Sequence, residues 1–124
     1  MFVINNDKSI YLTRGDIAVI SLTISSSDGD DYTVKSGDKI RLRIVEKNHF
    51  DKIVLLKDVI VEEDTRYIDI HLTSEDTKIG DIINKPKDYW YEIELNPDTA
   101  PQTVIGYDSD GPKIFRLYPE GVDM

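Results

Sequence analysis

Apolar and polar side chains alternate every second residue in short segments along most of the chain. Successive side chains of a strand point to opposite faces, so each such segment buries one face and wets the other. Residues 16–25 set Ala18, Ile20, Leu22 and Ile24 on one face and Val19, Ser21 and Thr23 on the other. Residues 39–47 place Ile40, Leu42 and Ile44 inward against Arg41 and Arg43 outward. Residues 66–72 oppose Ile68, Ile70 and Leu72 to Tyr67, Asp69 and His71. Residues 89–95 oppose Tyr91, Ile93 and Leu95 to Trp90, Glu92 and Glu94. Residues 53–61 are more continuously apolar and read as one strand or as two pieces broken at Lys57-Asp58. Val3-Ile4 and Tyr11-Leu12 read as short edge strands. Residues 103–107 and 113–118 flank Asp108-Ser109-Asp110-Gly111-Pro112, a turn signal that predicts a terminal hairpin.

Polar turns separate these segments, the plainest being residues 25–31, Ser36-Gly37-Asp38 and Asn96-Pro97-Asp98. Short strands at this rhythm predict an all-β, antiparallel sandwich, Ig-like or jelly-roll-like, and not βαβ units. With 124 residues and 14.2 kDa, the chain has the size of one domain spanning residues 1–124. One short helix is expected near residues 74–83. Thr73 and Asp76 have the spacing of a capping box, and Ile79, Ile82 and Ile83 follow at helical spacing. Gly80 weakens that helix and Pro86 ends it, which limits it to one or two turns.

Charge narrows the function classes. Fifteen Lys and Arg against 24 Asp and Glu give a net charge of −9 and a pI of about 4.6. Nucleic-acid grooves and anionic membrane surfaces need clustered cations, so neither partner is expected. No cysteine is present, which excludes disulfides, thiolate zinc sites and thiol catalysis. No apolar run reaches the roughly 18 residues of a membrane span, and residues 1–7 lack the features of a signal peptide. The expectation is a chain made and held soluble in a cytoplasm.

Catalytic and metal motifs are absent from the sequence. His49 and His71 stand in no zinc-ligand spacing, and no nucleophile elbow, phosphate loop or dinucleotide fingerprint occurs. Asp28-Gly29-Asp30-Asp31 and Asp108-Ser109-Asp110-Gly111 crowd oxygen ligands as calcium loops do, yet Asp and Gly are also what tight turns prefer. Glu92 and Glu94 share a strand face about 7 Å apart by strand rise, with no pocket to set one as an acid. Neither an enzyme nor a cofactor site is expected. The aromatic cluster Tyr89-Trp90-Tyr91 is the strongest binding signal. An exposed Trp90 could stack a sugar ring or anchor a protein, and the alternative is that residues 84–88 cover it. Trp90, Tyr67 and His71, all on outward faces, are the candidate interface residues, with a carbohydrate-binding or adhesion module as the second possibility.

Several segments, taken in order, resemble small virion proteins of bacteriophages and prophages of Gram-positive hosts. The opening Ile10-Tyr11-Leu12-Thr13-Arg14-Gly15-Asp16 runs into Ala18-Val19-Ile20-Ser21-Leu22. A second Gly-Asp turn, Ser36-Gly37-Asp38, leads into Lys39-Ile40-Arg41-Leu42. Leu72-Thr73-Ser74-Glu75-Asp76-Thr77 and then 88–95, Asp-Tyr-Trp-Tyr-Glu-Ile-Glu-Leu, follow, and Gln102-Thr103-Val104 and a last apolar strand complete the series. Together these resemble the N-terminal domain of phage baseplate upper proteins. The resemblance implies a compact β-sandwich without catalytic residues that docks on other virion proteins of the tail or baseplate. It also implies a place in the virion, with assembly in the bacterial cytoplasm and a homo-oligomer as one form of it. Beside the resemblance, Gly15 and Gly37 are expected to take positive φ ahead of a strand, as structural residues.

Overall fold

The alternation becomes eleven strands and one helical turn in the computed structural model, which describes residues 2–5, 7–25 and 31–120. The early strands are β1 (Phe2–Ile4), β2 (Ile10–Thr13), β3 (Ala18–Leu22), β4 (Ile24–Ser25) and β5 (Asp31–Tyr32). After them come β6 (Lys39–Glu46), β7 (His49–Ile60) and β8 (Ile68–Leu72), then the helical turn α1 (Ser74–Thr77). The chain continues with β9 (Lys87–Leu95), β10 (Gln102–Ile105) and β11 (Lys113–Tyr118). A seven-stranded sheet has the order β1-β2-β11-β9-β6-β7, with β10 also on β9. β3 and β8 form a two-stranded sheet, and β4 and β5 a small ribbon. Ile10, Leu42, Ile93 and Phe115 of the large sheet share one buried cluster with Ala18, Ile20, Ile68 and Ile70 of β3 and β8. The fold is therefore the expected all-β sandwich, with two unequal sheets. Among the described residues every strand pair is antiparallel except β2 and β11, which run parallel.

β9 is the central strand because its inward residues, Tyr89, Tyr91, Ile93 and Leu95, are all buried. β6 covers one of its edges, from Ile40↔Leu95 to Glu46↔Tyr89. The other edge carries β10 on residues 93–95 and β11 on residues 87–91. These last two strands do not form the hairpin expected from their turn signal. Both run antiparallel to β9, one after the other along the same edge, so they act as a single strand interrupted by residues 106–112. The turn residues close a small loop on themselves through paired Asp108 and Gly111 backbone groups.

One other expectation is altered and two are made definite. β7 is one continuous strand of 12 residues, unbroken at Lys57-Asp58. The two charges point to opposite faces and each finds a counter-charge, Asp76 for Lys57 at 2.8 Å and Arg41 for Asp58 at 2.7 Å. The expected segment 16–25 divides into β3 and β4, and β4 leaves β8 to pair with β5. The capping box forms as read, with Thr73 and Asp76 bonded to each other's backbone N–H, but α1 is only four residues long. Gly80 at φ +63 turns the chain away, so Ile79 is buried while Ile82 is left exposed.

The two Gly-Asp turns work as latches. Gly15 takes φ +89 and Gly37 φ +93, as expected. The Gly15 N–H donates to Thr77 Oγ1 at 3.0 Å, and that hydroxyl donates to the Asp16 carbonyl at 2.8 Å. Arg14 donates to the Gly80 carbonyl at 2.9 Å. The turn leaving the large sheet is thereby tied to the turn that follows β8 of the small one. Asp38 accepts from Asn96 at 3.1 Å, while Asn96 accepts from the Lys39 N–H at 2.9 Å, which joins the start of β6 to the end of β9.

Candidate functional site

The residues that alternate outward on the large sheet form a surface with a definite order. One cross-strand row runs Ile53–Val45–Trp90–Ile114 across β7, β6, β9 and β11. Phe50, brought back by the turn between β6 and β7, places its ring 5.0 Å from that of Trp90 at 43°. Val45 beneath them is sealed, whereas Phe50 at 41%, Ile53 at 49% and Leu56 at 46% remain open to solvent. Irregular pairing between β6 and β7 around Val45 lets Phe50 reach over. Arg43 donates to the Phe50 carbonyl at 2.6 Å and to Glu92 at 3.0 Å, so the strand carrying Phe50 is held from β6.

Ion pairs border this apolar row on both sides. Arg41 grips Asp58 through two bonds of 2.7 and 3.0 Å and also reaches Asp98, which Lys39 meets at 2.9 Å. The Arg41 guanidinium holds the Asp58 carboxyl below the ordinary carboxylate value, against the opposing pull of partial burial. Lys39 and then Arg41 lower Asp98 in the same way. On the far side Arg116 grips Asp88 at 2.7 and 3.2 Å and lies 4.9 Å over the Tyr11 ring.

The three candidate residues do not come together. Trp90 is on the outer face of the large sheet, half-buried, and its cover is Phe50. Tyr67 precedes β8 and is 71% exposed, and His71 faces solvent from β8 opposite Val19. Both belong to the opposite face of the sandwich. Sequence reading missed Phe50 and Ile53, which open onto the apolar row, and Leu56, which stands opposite Arg43 in the row beside it. For Ile53 and Leu56 the signal was available in residues 53–61, where apolar side chains occupy both faces of a strand and one set must stay outside.

A cleft of about 460 Å³ opens between β10 and the run from β3 to β4, floored by Ile20, Ile24 and Leu95. Burial raises the Tyr91 hydroxyl well above its ordinary pKa, and this proton is donated to the Lys8 carbonyl. Neither a histidine nor a carboxylate is among the described residues that line the cleft. The first acidic turn considered for calcium, Asp28-Gly29-Asp30-Asp31, lies outside the described residues apart from the backbone of Asp31. In the second, Asp108 is already engaged by Lys113 at 2.7 Å and by the Asp110 N–H at 2.9 Å. Among the described residues no three metal-ligating side chains converge, and no helix is long and apolar enough to cross a membrane. Glu92, one of the two carboxylates weighed as a pair, is engaged by Arg43. No family model, curated protein or solved structure matches the chain.

Proposed function

We propose that the chain is a non-enzymatic structural protein of a phage or prophage tail or baseplate, which assembles by contacts with other virion proteins. The observation that carries this reading is the open apolar row on the large sheet, rimmed by charges already paired within the chain. Large aromatic and aliphatic side chains at the centre of a face, with a polar rim, are what a protein contact uses. The order of segments that resembles baseplate upper proteins supplies the kind of particle. The second possibility, a carbohydrate-binding or adhesion module, is less favoured, because Phe50 packs against the indole that a sugar would stack on. Mass spectrometry of density-purified particles, collected after prophage induction of the source strain, tests the reading. The chain is expected at stoichiometric abundance. Particles complete without it overturn the virion role, and quenching of Trp90 fluorescence by a polysaccharide, lost in Trp90→Ala, would put the carbohydrate reading in its place.

A further inference from the structure

We propose that the cleft between β10 and the run from β3 to β4 binds an organic carboxylate with an aliphatic body, whose charge meets Lys8. The site shares no residue with the Trp90 row, and its use is distinct from a protein contact. At about 460 Å³ the cleft has the size of a small-ligand site, a class that is mostly apolar with a few placed polar groups. Ile20, Ile24 and Leu95 floor it, and Ile4, Ile10 and Val104 also line it.

Charge selects the ligand. The chain carries −9, yet among the described residues that line the cleft Lys8 alone is charged. Its ammonium makes no ion pair with any described residue. Asp7, the neighbour in sequence, is turned to Ser9 and accepts from its N–H at 3.0 Å and its hydroxyl at 2.6 Å. A cation beside apolar walls suits an anion that brings its own hydrocarbon. A neutral hydrocarbon leaves that charge unused, and an amine is repelled by it.

The backbone shows that Lys8 is placed with some effort. Gly15, Gly37, Gly80, Gly111, Asn48 and Asn96 are the other described residues at positive φ, a region that Gly and Asn enter most readily. Lys8, at φ 71, is the exception. Its N–H donates to the Asn5 carbonyl at 3.0 Å, and the Asn5 N–H donates to the Ser9 carbonyl at 2.9 Å. The Tyr91 hydroxyl, itself on the cleft, donates to the Lys8 carbonyl. A turn that would form more easily with Asn or Gly is thus held around the one charge of the cleft. A residue set against local backbone preference at the only charged position of a pocket points to a use for that charge.

Amide NMR of the full chain, titrated to millimolar concentration with octanoate, octanol and octylamine, tests the proposal. Octanoate should move the amides of Ile24, Leu95 and Val104. It should bind about three- to fivefold more tightly than octanol, the gain of one solvent-exposed ion pair. Octylamine should bind there most weakly, although the net charge alone predicts the reverse order. Lys8→Asn removes the cation and keeps a residue suited to positive φ, so circular dichroism should show it folded. It should lose the octanoate advantage and leave octanol binding unchanged. Lys8→Glu should invert the order of octanoate and octylamine. Cleft amides unmoved by millimolar octanoate overturn the proposal, as does a native preference for octylamine or an octanoate affinity unchanged in Lys8→Asn. None of these results touches the virion role, which purified particles test separately.

Discussion

On the outer face of β8, Asp69 and His71 face solvent, with exposed Tyr67 just before the strand, and Ser21 of β3 donates to Asp69 at 2.7 Å. On the outer face of β9, Trp90 and Glu92 each have a partner, in Phe50 and Arg43. Both faces arise from the same two-residue alternation, so pattern alone does not separate them. Width does. A sheet of two strands gives an outward side chain one neighbouring strand, whereas β9 lies between β6 and the β10–β11 edge and gives two. Cross-strand neighbours are what turn an outward residue into part of a surface. The sheet with more strands is therefore the one with a surface fit for a partner.

The comparison assumes that both sheets stand on one core, and truncating that core is the most damaging way to test it. Phe115→Ala, at a fully buried position, should cost about 4 kcal/mol in chemical denaturation, in a single transition that loses both faces together. Two separate transitions would mean that the sheets fold independently. The latch between the sheets comes next. A Cβ at Gly15 would stand 2.7 Å from Glu120 Oε1, at a φ of +89 that side chains rarely adopt. Gly15→Val should cost about 2–3 kcal/mol, and unaltered thermal stability would break the account of the turn. The faces themselves are compared by Trp90→Ala and Tyr67→Ala. The first removes a half-buried ring packed on Phe50 and should cost about 2 kcal/mol. The second removes a ring that is largely in water and should stay within about 0.5 kcal/mol. Equal losses would mean that the two faces do not differ in kind.

These residues also mark how far the sequence is legible. The core is readable because burial follows the alternation. Ile20, Ile40, Leu42, Ile44, Ile68, Ile70, Tyr91 and Ile93 all sit inward as their spacing requires. The capping box is readable because Thr73 and Asp76 meet within one turn of chain. Strand partnership is different, since it depends on residues far apart. Nothing local says that β10 and β11 share one edge of β9, or that β2 lies parallel to β11. The interface residues fail for the same reason. Trp90 is conspicuous as a lone tryptophan, but its role depends on Phe50, 40 positions earlier, and on Arg43 holding Phe50 in place. Tyr67 and His71 look equivalent to Trp90 in alternation and lack those neighbours.

Acid sharpens the same contrast. Arg41 lowers the Asp58 pKa in the folded chain, and the unfolded chain has no such pairing. A carboxyl with a depressed folded pKa stabilises the fold above its unfolded value, and that contribution is lost as pH falls through the folded value. Asp58→Asn removes the charge and the titration together. At pH 7 this variant should melt a few degrees below the native chain. As pH falls below the unfolded value near 3.8 that advantage shrinks, and it is lost once the pH has passed the lowered folded value, so the two melting curves should approach each other in acid. A gap that stays constant down to pH 2 would mean that Asp58 acts through shape and not through charge. The Arg41–Asp58 pair beside the apolar row would then be a contact in space only.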